Sequence, residues 1–404
     1  MPQVVLVWEM GADLGHVTRL DSLAKHLIGR GHSVVCVFSS LNETQRTYLP
    51  PATPPYQVIQ GPSWPDRRSK LSRSPANLAE VLLSIGYHQP QLVATKLGEW
   101  RAIFSQLQPD VIIYDYAPTA LLATRDYSCK KISLDDPFSK PPETFPLPSF
   151  DQNAKVSTAN LAISDSRLVD IVNQVLLQFQ LSPIKQASDL FASDKSFLLS
   201  IPELDPFAHL RNAATYLGFI EAQSCDKKIP LNWNTESNAK KVFAYLKPSY
   251  PKLKELLYNI MRLNIQGRFF IPHADQAILD ICKNSNMEIS NTPYDLSENL
   301  PPCDLVICHG GHSTLLQAAL CGVPALIIPL QQEQLSTTQK CVDSGLALWL
   351  GHGVTDSEKI QSILQALLYD QRFQQSVQQC AMRYRNRFTR SAMEVIVEYV
   401  ETCV

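Results

Sequence analysis

The run DLVICHGGHSTLLQAALCGVPALIIPLQQEQ, from Asp304 to Gln334, decides the fold. Leu305 to Cys308 is a continuous apolar stretch, as expected of a strand buried on both faces of a parallel sheet. His309-Gly310-Gly311-His312 is a tight turn, and the residues from Ser313 to Leu320 form the helix it feeds. Ala325 to Pro329 is the next strand. The unpaired backbone N–H groups at the helix start, with the positive end of its dipole, make an anion site. Gly310 and Gly311 permit positive φ and let a phosphate approach the backbone. Ser313 or Thr314 can cap the helix and offer a hydroxyl to the same phosphate. His309, at the carboxyl end of the strand, can present an imidazole N–H to a diphosphate. Strand, turn and helix alone are equally compatible with an ordinary βα turn.

The same alternation extends in both directions. Val4 to Trp8 is an apolar run, followed by a loop from Gly11 to His16. Leu20, Leu23, Ala24, Leu27 and Ile28 then repeat at helical spacing, and Val34 to Phe38 is a second strand. Strand, helix and strand in this short span make a βαβ unit, hence a parallel sheet. Further strands are expected at Gln57–Gln60, Val111–Tyr114, Lys131–Leu134 and Ser196–Ile201, with a helix from Leu168 to Phe179 among those between them. A polar, aperiodic stretch near residues 221–240 reads as a linker. A second series begins at Val242–Leu246 and closes on a long final helix, Gln374 to Val404. The expected architecture is α/β, with two Rossmann-like, doubly wound parallel-sheet domains facing a cleft. Their bounds are 1–220 and 241–380, and residues 381–404 form a C-terminal helix returning to the first domain.

Composition agrees. The chain has 404 residues, 45% hydrophobic and 18% charged, with a net charge of −2. That suits a folded enzyme and gives no basic footprint for nucleic acid. The ten cysteines form no CxxC pair and no zinc-spaced cluster, so they read as reduced thiols of a cytoplasmic protein without a structural metal. Glu9 interrupts the first apolar run, which reads as a strand and not as a signal peptide. No stretch approaches the roughly 18 uninterrupted apolar residues of a membrane helix, so any membrane association is peripheral.

The full run from His309 to Gln334 resembles the donor-binding signature of the UDP-glycosyltransferase-like family, which has the GT-B fold. The matching positions are His309, Gly310, Gly311, Ser313, Thr314, Ala318, Gly322, Val323, Pro324, Pro329, Glu333 and Gln334. The resemblance implies that His309 and the helix start hold the diphosphate of a nucleotide sugar. It also implies that Glu333 and Gln334 hydrogen-bond the donor sugar. Gln317 stands where the family usually has the Glu that grips the ribose hydroxyls. An amide keeps one such contact but loses the bidentate ionic one, which leaves room for a deoxyribose donor such as a dTDP-sugar. The family's base-stacking Trp-x-Pro-Gln has no counterpart; the corresponding stretch is Asn291-Thr292-Pro293-Tyr294.

The run from Gly11 to Leu20 resembles the family's first loop and helix, and Arg30-Gly31-His32 its helix end. By this resemblance His16 is the general base, and Asp115, closing the strand that begins near Pro109, is its orienting carboxylate. Imidazole suits removal of a hydroxyl proton near neutral pH. Without the resemblance His16 reads as a helix-start histidine and Asp115 as an N-cap. Asp13 could assist or replace Asp115. Arg67, Arg68, Lys70 and Arg73 read as a solvated basic loop. Lys247 follows the first strand of the second domain and could touch the donor.

The implied activity is inverting transfer of a hexose from a UDP- or dTDP-sugar to a hydroxyl of a small-molecule or lipid acceptor. The donor acts as co-substrate, with no cofactor and no metal. Two rivals share the fold: a sugar-nucleotide epimerase and a non-catalytic partner protein.

Overall fold

A computed structural model describes residues 1–11, 14–39, 55–65, 74–151, 156–220, 229–230, 232–234, 236–283, 285–296, 300, 302–330, 332–351, 354 and 356–404, without the side chains of 14, 295, 332 and 333. The chain divides into two compact units. The first comprises residues 1–202, 207–222 and 390–404, and the second residues 203–206 and 223–389.

In the first unit, β1 (Gln3–Trp8), β2 (Ser33–Phe38), β3 (Gln57–Gln60), β4 (Val111–Asp115), β5 (Lys130–Asp135) and β6 (Lys195–Leu198) form one sheet. The order is β3-β2-β1-β4-β5-β6, and every pair is parallel. The apolar run Val4–Trp8 makes β1 a central strand buried throughout. α1 (Leu14–Gly29) links β1 to β2, and its Leu20, Leu23, Ala24 and Leu27 are buried. Gly31, at φ +89°, supplies the left-handed turn beyond the helix end that a side chain would strain. On the other face of the sheet lie α2 (Leu78–Leu82), α3 (Pro90–Leu107), α4 (Pro118–Ala123) and α5 (Thr158–Gln178). α5 begins ten residues before the helix expected from Leu168. The Ser157 side chain caps it by accepting the Asn160 N–H, and its first turns are largely exposed, so no apolar periodicity announces them.

The second unit repeats the plan. Its main sheet contains β8 (Lys240–Tyr245), β9 (Ile265–Phe270), β10 (Met287–Ser290), β12 (Leu305–Cys308), β13 (Ala325–Ile327) and β14 (Ala347–Trp349), in the order β10-β9-β8-β12-β13-β14. A separate two-stranded piece pairs β7 (Ile229–Pro230) with β11 (Tyr294–Asp295). The helices are α6 (Leu253–Met261), α7 (Gln276–Cys282), α8 (His312–Cys321), α9 (Gln332–Asp343), α10 (Ser357–Tyr369) and α11 (Gln371–Arg387). The short edge strand β14 was not anticipated; three residues are too few to show a period. Residues 203–206 join this unit, where Glu203 accepts hydrogen bonds from Arg383 and from the Tyr384 hydroxyl.

The expected single helix from Gln374 to Val404 is two. α11 stops at Arg387, and α12 (Ala392–Glu401) starts afresh on a capping box, with Ser391 and Glu394 each accepting the other's backbone N–H. Met393, Ile396, Val397 and Val400 of α12 enter the same apolar cluster as Val17, Leu20 and Leu27 of α1. Full burial of each such side chain contributes about 1.5–3 kcal/mol, so α12 is an integral part of the first unit. Every described cysteine is a free thiol, and no described helix is long and apolar enough to cross a membrane.

In both sheets the strand order reverses once, between β1 and β4 and between β8 and β12. Ligands of open α/β sheets bind beyond the carboxyl ends of the strands at such a switch point. Trp8 pairs with Asp115 at the first, and Tyr245 with Cys308, the residue before His309, at the second.

Candidate active site

At the first switch point, His16 and Arg19 stand about one turn apart on α1 and reach the same place. His16 Nδ1 lies 2.8 Å from Asp115 Oδ1. Arg19 grips the same carboxylate as a fork: Nε donates to Oδ2 and Nη2 to Oδ1. Arg19 Nη2 is also 2.8 Å from His16 Nδ1. The Asp115 side chain is fully buried, and those of His16 and Arg19 are 12% and 11% exposed. Burial pushes the Asp115 carboxyl upward, but Arg19 and then His16 outweigh it and hold the group below the usual carboxylate range. Burial also works against the Arg19 charge, and Asp115 more than offsets it. The Trp8 indole stacks on the His16 imidazole, with ring centroids 5.3 Å apart and planes at 13°. The other ring nitrogen, Nε2, has no hydrogen-bond partner among the described residues. A Cβ on Gly11 would stand 2.7 Å from it, so only glycine fits beside the ring at this position, with φ +98°.

Arg19 and Trp8 carry no role in the sequence analysis. The i, i+3 spacing of His16 and Arg19 was a usable signal for the first. Other carboxylates line the same sheet edge. Glu9, buried directly after β1, accepts the Trp64 Nε1–H at 3.0 Å and the Thr119 N–H at 2.9 Å. It thereby ties β1 to the start of α4, and burial pushes its carboxyl upward. Asp135, at the end of β5, is pushed up to about 6 by burial. Asp13 and the basic cluster Arg67, Arg68, Lys70 and Arg73 lie outside the described residues.

At the second switch point, α8 begins at His312 with Gly311 as its N-cap and no side chain capping it. Ser313 and Thr314 are therefore inside the first turn and not at the cap expected of them. Ser313 is exposed, and Thr314 and Gln317 are half-buried. Gly310 sits at φ +87°, where a Cβ would press to 3.2 Å against Gln334 Cβ and Ile327 Cγ2.

His309 is placed at this turn but differently engaged. It is 4% exposed, its Nδ1 lies 2.9 Å from the Ile328 carbonyl oxygen, and its Nε2 accepts the Lys247 backbone N–H at 2.8 Å. The proton must sit on Nδ1 and the lone pair on Nε2. Burial pushes the imidazole down to about 4, against the pull of the Ile328 carbonyl, so the ring is neutral at neutral pH. Both nitrogens are spent on the backbone, and neither offers an N–H to a diphosphate. The ring instead ties the exit of β8 to the exit of β13. Gln334 is likewise committed: it is buried, and its Oε1 accepts the Leu330 N–H at 2.7 Å. The Glu333 side chain lies outside the described residues.

This arrangement of two sheets is found in solved glycosyltransferases. The chain superposes on the glycotransferase of kitacinnamycin with a TM-score of 0.72 at 16% identity, covering 100% of this chain and 99% of that one. With the glycosyltransferase VinC in complex with dTDP the TM-score is 0.71 at 14% identity, covering 99% of each. Residues 273–395 match the glycosyltransferase family 28 C-terminal domain. The chain has the GT-B fold of these glycosyltransferases. Curated relatives of this GT-B protein match over shorter stretches. Demethyllactenocin mycarosyltransferase of Streptomyces fradiae is 34% identical over 82 residues, 20% of this chain and 18% of that protein. The UDP-N-acetylglucosamine–N-acetylmuramyl-(pentapeptide) pyrophosphoryl-undecaprenol N-acetylglucosamine transferase of Shewanella loihica is 24% identical over 136 residues, 33% of this chain and 37% of that protein. The chain thus spans well under half the length of these two relatives.

Proposed function

We propose that this GT-B protein is an inverting glycosyltransferase that moves a hexose from a nucleoside-diphosphate sugar to an acceptor hydroxyl. The observation that carries this reading is the His16–Asp115 pair: the carboxylate engages Nδ1, and Nε2 has no hydrogen-bond partner among the described residues. In the proposed step, Nε2 takes the acceptor hydroxyl proton while the oxygen attacks the anomeric carbon. The bond from that carbon to the phosphate oxygen breaks, and the nucleoside diphosphate leaves with the electron pair. Asp115 stabilises the imidazolium that forms. The first unit binds the acceptor and the second the donor.

The uncapped start of α8, with the exposed Ser313 hydroxyl, meets the charge that develops on the leaving diphosphate. Gly310 and Gly311 let the phosphates approach, and His309 holds the turn in shape. Glu333 is assigned to the donor sugar; Gln334 supports the turn from behind. Gln317, an amide on α8, favours a deoxyribose nucleotide, and VinC, one of the similar structures, is a complex with dTDP. We therefore place a dTDP-sugar ahead of a UDP-sugar as donor. The acceptor is a small molecule or a lipid-linked saccharide.

The test is thermal denaturation of the purified chain with dTDP, UDP and GDP. A ligand of the folded state at a hundred times its Kd adds about 2.7 kcal/mol. The expected result is the largest rise with dTDP. No response to any of the three would exclude this donor site.

A further inference from the structure

The main sheet of the second unit carries different side chains on its two faces. Ala244 of β8, Phe269 of β9 and Ile307 of β12 belong to the apolar cluster formed with α6, α7 and α10. Side chains alternate along a strand, so Tyr245, Phe270 and Cys308 lie on the opposite face. That is also the face of α8: Leu315, Ala318 and Ala319 line a small cavity with Ala325, whose neighbour Leu326 belongs to the first face. At the carboxyl ends of the strands, Tyr245 is in register with Cys308 on one side and with Phe270 on the other. The Tyr245 and Phe270 rings stack, with centroids 5.0 Å apart and planes at 29°. Phe270 is buried and Tyr245 half-buried, so the pair is a backed aromatic platform that is not fully covered. Farther from the carboxyl edge the same face is closed, where Phe243 meets Tyr294 edge-on with centroids 6.0 Å apart.

The platform stands beside the turn that leads from Cys308 into α8. From β12 through β8 to β9 is about 10 Å at the usual strand spacing. A ribose separates a nucleobase from its diphosphate over a comparable span. A diphosphate at the start of α8 leaves its nucleoside two directions along the sheet edge. Toward β13 the turn is closed, because His309 bonds the Ile328 carbonyl and Gln334 accepts the Leu330 N–H. Toward β8 and β9 lies the aromatic pair. Every base has a π-face, and stacking on an aromatic ring holds it without reading its edge.

We propose that Tyr245, backed by Phe270, is the surface on which the nucleobase of the donor stacks. It stands in for the Trp-x-Pro-Gln segment, whose place in this chain is taken by Asn291-Thr292-Pro293-Tyr294. Tyr294 of that stretch is 4% exposed and packed on Phe243, so its ring is not offered to a ligand. The inference rests on the reading of the α8 start as the diphosphate site. Stacking tolerates any base, so the choice between dTDP and UDP falls to the ribose and Gln317.

The experiment is calorimetric titration of the full chain with dTDP and, separately, with inorganic pyrophosphate, which has no base. Tyr245→Ala is expected to weaken dTDP by about 5- to 150-fold, the worth of one stacked base, and to leave pyrophosphate as in wild type. Tyr245→Leu, which keeps apolar bulk on Phe270 without a π-face and guards against a misfolded Ala variant, is expected to show the same loss. Tyr245→Phe is expected to keep the wild-type affinity for dTDP. Wild-type dTDP affinity in Tyr245→Ala or Tyr245→Leu would overturn the platform and leave the diphosphate site standing. An equal loss of dTDP and pyrophosphate in both variants would overturn it too, since Tyr245 would then act on the turn and not on the base. A wild-type chain that binds neither ligand would instead sink the donor-site reading itself and this inference with it.

Discussion

Each unit has a histidine at the switch point of its sheet, and the two are used in opposite ways. His16 spends one nitrogen on Asp115 and has no partner for the other among the described residues; His309 spends both on backbone groups of neighbouring strand ends. Both belong to stretches that resemble the family signature, yet only the first leaves a ring nitrogen without a hydrogen-bond partner among the described residues. A histidine in a functional motif can serve by shaping the backbone around a ligand. A count of its hydrogen bonds separates that use from proton transfer.

Four outcomes would break or sharpen the contrast. The largest effect is expected at His16. His16→Ala should lower turnover by about 10²–10⁴-fold, the usual worth of a positioned base. Loss of less than tenfold would remove His16 from the chemistry. Next is Asp115→Ala, which leaves the Arg19 guanidinium buried and unpaired. Breaking a buried pair from one side costs about 3–5 kcal/mol, so urea denaturation should show a large drop in midpoint. An unchanged midpoint would mean that the fork is formed only weakly.

His309 predicts a pH dependence instead. Its folded value, about 4, lies below the ordinary 6.5, so between those values the unfolded chain binds the proton and the folded one does not. The contribution is full above the unfolded value and is lost as pH falls toward the folded one, amounting to about 3 kcal/mol. Comparison of wild type with His309→Gln across pH 4–7 isolates it from other groups. A difference that does not change with pH would show that the imidazole is not buried neutral. The smallest effect belongs to Gly310→Ala, where a positive φ and a Cβ at 3.2 Å from Gln334 and Ile327 should cost about 1–3 kcal/mol. A stability equal to wild type would place the turn in another conformation.

Much of the fold was legible because central parallel strands are apolar throughout and helices repeat at their own period. Val4–Trp8, Leu305–Cys308 and the Leu20–Leu27 face of α1 all announce themselves this way. The break at Ser391 was legible too, since Ser-x-x-Glu is a helix-start signal, but the apolar positions on both sides of it read as one long helix. The site was legible in residue type and less so in function. The partners of His309 are the Ile328 carbonyl and the Lys247 N–H, backbone groups that every residue carries, so no side-chain pattern could reveal them. Arg19 was hidden for a different reason: an arginine on a helix is usually solvated, and only the packing of α1 against the end of β4 brings it to Asp115.

The most direct test of the division of labour is dTDP binding to His16→Ala and His309→Ala, measured side by side by thermal shift. The account predicts that His16→Ala keeps the wild-type rise in melting temperature, because the base does not hold the donor. It predicts that His309→Ala loses most of that rise, because the turn before α8 is no longer tied to β8 and β13. A full rise in His309→Ala together with its loss in His16→Ala would contradict it.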